Sequence, residues 1–182
     1  MQHMTDQWVA LRSQQDSKGV TMRLIRPDDA TLIHQMHQRL SPDSIYYRYL
    51  QPRIPTLDEI VAVCRLDPEK GAGLVATVPA EGGIVVGVAY YVREAQEQCP
   101  TAEPGILVED RFQDQGIGRS LWQQMQQHAQ ANQIGWLRVL SHPSNRRVAR
   151  LVQGSGLPYA AKTNDGLNEY LVALHEQPYP CR

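Results

Sequence analysis

The sequence has 182 residues, which is enough for one domain with a buried core. Its 18 basic and 19 acidic side chains give a formal net charge of -1, and the chain lacks the basic face that nucleic-acid binding requires. Three cysteines, Cys64, Cys99 and Cys181, are far apart and form no CxxC pair, which argues against both a disulfide framework and a zinc site.

The start of the chain and its apolar runs indicate where the protein works. Residues 1–6 lack a basic region, and no apolar stretch of the kind found in a signal peptide follows. No run approaches the ~18 apolar residues of a membrane span. We therefore expect a soluble, cytoplasmic protein that is a monomer or homodimer and binds no membrane, nucleic acid or metal.

The first part of the chain predicts a tail, a strand and a helix. Residues 1–19 are polar and read as a tail or weak edge strand before a domain at 20–176, and 177–182 form a second tail. Residues 21–25 are the first strand candidate. Pro27 stands where a helix begins, because proline is tolerated at a first helical position.

Two more helices are predicted before residue 65. Ser41 and Pro42 provide a serine cap with proline at the first position. Thr56 and Glu59 form a capping box for the next helix. Cys64 ends its apolar stripe and is interpreted as a core cysteine.

From residue 74 onward the pattern predicts more strands and two helices. The strands are expected at 74–78, 84–92, 102–108, 137–140, 157–161 and 168–174, and the first two are joined as a hairpin through 79–83. The helices are expected after a glycine turn at 113–118 and at 145–153. This order predicts one mixed α/β sheet flanked by helices.

The turn at 113–118 is the candidate binding site. A strand ends, a short loop turns, and a helix opens whose free N–H groups suit a pyrophosphate. The P-loop pattern is absent, and the dinucleotide fingerprint would need a glycine at the position of Leu121. The remaining alternatives are an acyl-CoA turn and an ordinary glycine-rich helix start.

Two segments carry a resemblance to the GNAT superfamily of N-acetyltransferases. Gln113, Gly116 and Gly118 fit its acyl-CoA turn, and the segment from Asn145 to Gly156 is similar to its second CoA motif. The resemblance runs from about residue 22 to residue 174. It implies the GNAT fold, with a mixed, mostly antiparallel sheet whose strands splay beside the CoA turn.

A narrower resemblance concerns the acetyltransferase domain of bacterial protein-lysine acetyltransferases. The segments at 40–49 and 102–108 are similar to theirs. In that group the glutamate that corresponds to Glu103 is taken as the general base. Pro104 departs from the pattern, because it removes a backbone donor near the strand start.

The resemblance implies acetyl-CoA as the acyl donor and the residues that bind it. The backbone N–H of Ile106 is expected to stabilise the oxyanion, and the backbone of 106–108 to bind the pantetheine arm. The residues implied for binding are Ile106, Leu107, Val108, Gln113, Asp114, Gln115, Gly116, Ile117, Gly118, Arg119, Ser120, Asn145 and Leu151.

Other catalytic candidates are weaker. Glu109 is a second carboxylate near the turn, but a solvated loop acid is the preferred interpretation. Val152 occupies the place of the tyrosine that protonates the leaving thiolate in many family members. Tyr159 and His142 are nearby, yet packing and turn capping suit them better.

The preferred function is acetyl transfer from acetyl-CoA to a protein lysine. Acetylation of a small amine, such as a polyamine, amino acid or antibiotic, is the second possibility. A non-catalytic acyl-CoA sensor is the third. Tyr46, Tyr47, Tyr90 and Tyr91 are aromatic candidates for the acceptor cleft, although each also suits packing.

Overall fold

A computed structural model describes residues 14–15, 19–79, 83–95 and 100–175. The strands β1 to β8 are Gln14–Gln15, Thr21–Leu24, Gly71–Val78, Ile84–Arg93, Thr101–Val108, Trp136–Ser141, Tyr159–Asn164 and Leu167–Ala173. The helices α1 to α5 are Ala30–His37, Pro42–Tyr49, Leu57–Cys64, Ile117–Ala131 and Arg146–Gln153. Most of the predicted N-terminal tail, the hairpin loop at 80–82, Cys99, Cys181 and the tail at 177–182 lie outside the described residues.

The strands form one sheet in the order β1-β2-β3-β4-β5-β6-β8-β7. Neighbouring strands are antiparallel except for β5 and β6, which run parallel. The predicted mixed, mostly antiparallel sheet is therefore confirmed. Gln14–Gln15 pairs with β2 at one edge, where the sequence allowed a weak edge strand.

Helices cover both faces of this sheet. On one face α4 packs the apolar stripe that its sequence predicted, namely Ile117, Leu121, Met125 and Ala129. On the other face α1, α2 and α3 pack a second cluster, whose helical members are Ala30, Ile33, Met36, Ile45, Ile60 and Cys64. Because β4 is covered on both sides, its sequence is an almost continuous apolar run.

The helix starts follow the caps read from the sequence, with one difference. The Ser41 hydroxyl accepts the Ser44 N–H at 3.2 Å, and the Thr56–Glu59 capping box is formed. The difference is at Pro27, where residues Pro27–Asp29 form a 3-10 turn and the α-helix begins only at Ala30. At this turn the Asp29 side chain accepts bonds from Arg23 and from the Arg26 N–H.

Cys64 is buried at the end of α3, which confirms its interpretation as a core cysteine. Burial raises the pKa of its thiol to about 11, so the reactive thiolate is disfavoured. Among the described residues, no helix combines the length and apolar character needed to cross a membrane.

Glu109 anchors the segment after β5 to the segment after α1. Its carboxylate is 0% exposed and accepts bonds from Arg39 Nε at 2.9 Å and Arg111 Nε at 2.8 Å. Arg39 also donates to the Val85 carbonyl at 2.9 Å. The interpretation of Glu109 as a solvated loop acid is therefore wrong. Residue 109 follows β5 directly and is still buried, and a buried carboxylate requires cationic partners.

We expect Glu109→Gln to lower the free energy of unfolding by about 2 kcal/mol, because the amide offers a single acceptor oxygen to two guanidinium groups. Urea denaturation followed by tryptophan fluorescence measures the change. Lys162→Gln is the matched control, since it removes an exposed ion pair with Glu169 that contributes little. Equal stability of wild type and Glu109→Gln would contradict the anchoring role.

Asp29 joins β2 to the start of α1. Its buried carboxylate accepts two bonds of 2.6 Å from Arg23 and one of 2.7 Å from the Arg26 N–H. Burial alone would raise the pKa of this carboxyl, but these bonds outweigh it and hold the pKa below its usual value. The ionised carboxylate is therefore the form that the fold stabilises.

The pKa of an aspartate carboxyl in the unfolded chain is about 3.9. When the pKa is lower in the folded protein, the carboxyl stabilises the fold at pH values above the unfolded pKa. This stabilisation is lost as the pH falls through the pKa of the folded protein. We expect the melting temperature of wild type to fall more than that of Asp29→Asn between about pH 5 and about pH 3. Thermal unfolding followed by circular dichroism tests this. Parallel pH profiles for the two proteins would show that Asp29 is not the titrating group.

Candidate functional site

The site begins where β5 and β6 separate. These strands pair only through Thr101 with Trp136 and Ala102 with Leu137, after which they diverge. Each remains paired on its other side, β5 with β4 through residue 108 and β6 with β8 through residue 141. The result is a cleft of about 680 Å³ in the middle of the sheet.

The backbone of β5 supplies polar groups to this cleft. The Glu109 N–H donates to the Val86 carbonyl, and the Thr101 carbonyl accepts the Glu94 N–H. The backbone N–H and C=O groups of the odd-numbered residues of β5 therefore form their hydrogen bonds with β4. Because successive residues direct their backbone groups to opposite sides, those of Pro104, Ile106 and Val108 point towards the gap. The N–H group that Pro104 lacks would point into the gap, where no strand could accept its hydrogen bond. The proline therefore does not interrupt β5, which continues from 101 to 108.

The glycine turn closes one end of the cleft. Asp114 has φ 56° and Gly116 φ 92°, and the latter favours glycine because the left-handed region penalises a side chain. The Gln113 amide donates to the Val108 carbonyl at 2.9 Å and to the Ser44 hydroxyl at 3.1 Å. These bonds tie the turn to β5 and α2. The first N–H groups of α4, from Ile117 onward, have no intrahelical acceptor and form an anion site.

Arginines surround this anion site. Arg147 of α5 donates to Asp114 at 3.0 Å, and this bond lowers the pKa of the Asp114 carboxyl. Arg119 and Arg150 also line the cleft. Among the described residues, neither has a carboxylate within 4.0 Å. The positive charge of this end of the cleft therefore suits a phosphate-bearing ligand.

Most residues implied for CoA binding lie in the cleft, and three do not. Those that line it are Ile106, Leu107, Val108, Gln113, Asp114, Gly116, Gly118, Arg119, Asn145 and Leu151. Of the others, the Gln115 side chain bonds to the Arg111 carbonyl, Ile117 is buried in the core, and Ser120 is not among the residues that line the cleft.

The Asn145 side chain caps the N-terminus of α5. Its side-chain oxygen accepts the Val148 N–H at 3.4 Å, which starts α5 beside the turn. Val152, at the place of the usual tyrosine, is buried and also lines the cleft. Tyr159 lies exposed on β7 against Tyr170, outside the cleft lining, so packing is its role in the fold.

Glu103 lies at the surface, on the face of β5 that also carries Gly105 and Leu107. It precedes Pro104, which is the first cleft-lining residue of the strand. No hydrogen bond or ion pair of its side chain is found in the part of the chain that the structure describes. An exposed carboxylate of this kind is available to accept a proton.

Aromatic side chains lie across the other end of the cleft. The His142 ring follows β6 and is 5.7 Å from the Tyr46 ring and 5.9 Å from the Tyr47 ring, between centroids. Its Nδ1 accepts the Ser144 N–H at 3.2 Å, so it caps its loop. Tyr47 lines the cleft. Tyr91, in contrast, is buried on the face of the sheet that α4 covers, and its hydroxyl lies 3.0 Å from His128 Nδ1.

Sequence reasoning missed several cleft-lining residues, among them Arg48, Trp122, Arg147 and Arg150. The spacing of Arg147 and Arg150 puts them on one face of α5, next to the recognised motif at Asn145. That pattern was a usable indication. Nothing in the sequence places Arg48 against β5, because that contact joins segments more than fifty residues apart.

Comparison with known proteins agrees with this geometry. A family model described as an acetyltransferase (GNAT) domain matches residues 20–157. The GNAT domain of Streptomyces lividans PAT is 23% identical with a TM-score of 0.73, and the match covers 84% of this chain and 89% of that one.

Two further solved structures share the fold. YncA from Salmonella typhimurium, in complex with its cofactor acetyl-CoA, is 19% identical with a TM-score of 0.69 over 89% of this chain and 98% of that one. An N-acetyltransferase from Staphylococcus aureus is 20% identical with a TM-score of 0.65 over 86% and 99%. With the family model spanning most of the domain around the cleft, the chain belongs to the GNAT acetyltransferase family.

Proposed function

We propose that this protein transfers an acetyl group from acetyl-CoA to the side-chain amine of a protein lysine. The observation that carries the proposal is the gap between β5 and β6, which brings the Ile106 backbone, the glycine turn and the arginines into one cleft. The acetyl-CoA complex of YncA, a protein of the same fold, supports the choice of donor.

The donor binds along the cleft. Its pyrophosphate meets the N–H groups at the start of α4, with Arg119, Arg147 and Arg150 adding positive charge. The amides of the pantetheine arm pair with the backbone of Ile106 and Val108 as an added strand. This pairing gives partners to backbone groups that the divergence of β6 leaves without a neighbouring strand.

The transfer step needs a neutral amine. With a pKa near ~10.4, only about one lysine in 2,500 is neutral at pH 7, so Glu103 takes the proton directly or through water. The amine nitrogen attacks the thioester carbonyl, whose oxygen becomes negative and accepts the Ile106 N–H. The C–S bond then breaks. The nitrogen releases its second proton to water, and the thiolate takes one proton from water, since Val152 offers none.

The acceptor is assigned from the position of Glu103. This carboxylate is exposed at the surface instead of enclosed in the cleft, so a lysine on a folded protein can reach it. The resemblance of segments 40–49 and 102–108 to protein-lysine acetyltransferases favours the same acceptor. Free thiol release, measured with lysine peptides, polyamines, amino acids and amine antibiotics, compares the candidates directly.

We expect Gly116→Glu to abolish acetyl-CoA binding, because it places a carboxylate at the anion site and a side chain at φ 92°. Isothermal titration calorimetry measures the affinity. Gly166→Glu is the matched control, since Gly166 has φ 77°, has equally open space around it, and lies in the β7–β8 turn. Unchanged affinity of Gly116→Glu would remove the turn from the binding site.

We expect Glu103→Gln to lower kcat about 100-fold while the acetyl-CoA Kd stays within about twofold, because a general base contributes to the chemical step and not to donor binding. Thiol release and calorimetry measure the two quantities. Glu69→Gln, an exposed substitution away from the cleft, is the control. Undiminished turnover would exclude Glu103 as the base, and binding without thiol release from any amine would favour a sensor.

A further inference from the structure

Arg48 is a cation in the site, and among the described residues it has no carboxylate partner. It lies on α2 and lines both the cleft and a smaller cavity of about 190 Å³ between the helices α1, α2 and α3 and the strands β4 and β5. No carboxylate of the described residues lies within 4.0 Å of its guanidinium. Arg53, which lines the same cavity, instead forms bonds of 2.8 and 2.9 Å with Glu59.

The Arg48 guanidinium is held in place by aromatic groups. Nη2 donates to the Tyr90 hydroxyl, and Cζ lies 5.2 Å from the centroids of both the Tyr49 and Tyr90 rings. These contacts orient the group without neutralising its charge. A guanidinium has several N–H donors in one plane, so donors remain for a further ligand.

Gly105 makes room for this arrangement. A Cβ atom built at Gly105 would lie 2.0 Å from Arg48 Nη2 and 2.8 Å from its Cζ. The guanidinium therefore rests on β5 where the strand has no side chain. Glu103 is two residues earlier on the same face, about 7 Å along the strand. Arg48 and the candidate base are thus neighbours.

We propose that Arg48 binds a carboxylate of the acceptor, close to the amine that Glu103 deprotonates. The inference rests on the proposed function, which it narrows to amines that carry an acidic group. A planar guanidinium and a carboxylate form paired, charge-assisted bonds. The carboxylate comes either from an Asp or Glu beside the target lysine or from a free amino acid. Polyamines, which have no anionic group, are poor acceptors.

Charge placement favours the acceptor over the donor as the source of this carboxylate. The phosphates of acetyl-CoA are accounted for by the turn and by the arginines of α4 and α5, and the acetyl group is uncharged. Arg48 is on α2, on the face of β5 that carries Glu103. The cavity that it shares with Tyr90 also lies on that face.

The experiment compares acceptors that differ only in charge. Peptides with a lysine next to Glu or next to Gln, and free amino acids with their carboxamides, are assayed by thiol release at saturating acetyl-CoA. We expect kcat/KM of wild type to be about tenfold higher for the carboxylate member of a pair. A preference in the peptide pair identifies a protein acceptor, and a preference confined to the amino acids identifies a small one.

Variants assign the preference to Arg48. Arg48→Gln should lose about tenfold in kcat/KM for the carboxylate acceptor and less than about twofold for its amide, with acetyl-CoA affinity retained. Gly105→Ala should shift the guanidinium and weaken the preference in the same direction. Arg65→Gln, exposed at the end of α3, is the control that keeps the wild-type preference.

The outcomes separate this inference from the proposed function. Equal kcat/KM of wild type for both members of every pair overturns the role of Arg48 while leaving acetyl transfer intact. An equal loss for both acceptors in Arg48→Gln overturns it as well, because a structural role would affect both. Absence of thiol release with every amine overturns the proposed function and the inference together.

Discussion

The divergence of β5 and β6 is the constraint on which the rest of the site depends. A sheet normally satisfies every interior N–H and C=O group through its neighbours, and unpaired groups are costly where water is excluded. Here β5 ends its pairing with β6 at Ala102, although the strand continues to Val108. The fold thereby keeps a strand edge in the centre of the sheet, where an extended ligand with amide groups can complete the pairing.

Several contacts fix the elements that border this gap. Glu109 fixes the end of β5 to Arg39 and Arg111, and Gln113 fixes the turn to Val108 and Ser44. On the other side, Arg147 links α5 to Asp114. The turn is therefore braced from both sides before any ligand is present, which reduces the ordering required on binding.

The acceptor end has a different physical character from the donor end. Around the turn, positive charge comes from arginines and from helix N–H groups, in a region open to solvent. At the far end, one guanidinium lies among aromatic rings beside a surface carboxylate. The reaction joins a polyanionic donor to a cationic acceptor. Separate sites for the phosphates and the amine keep those groups from competing for the same partners.

The sequence by itself determined the elements that depend on neighbouring residues. The caps at Ser41 and Thr56, the apolar stripe of α4 and the glycine turn were all readable, because each is set by residues within one or two turns of chain. The resemblance to the family added the mixed, mostly antiparallel sheet and the position of the binding motifs to what these local patterns predict. Pro104 departs from the family pattern by removing a backbone donor, and the sequence does not show which side of β5 has no partner.

Only the tertiary structure decided the roles that depend on distant segments. Glu109 is a buried anchor and not a solvated acid, because Arg39 reaches it from seventy residues away. The Arg48 guanidinium rests on β5 because Gly105 has no side chain to exclude it. Burial and partner identity are set by how strands and helices pack, and that packing is not contained in any local pattern of the chain.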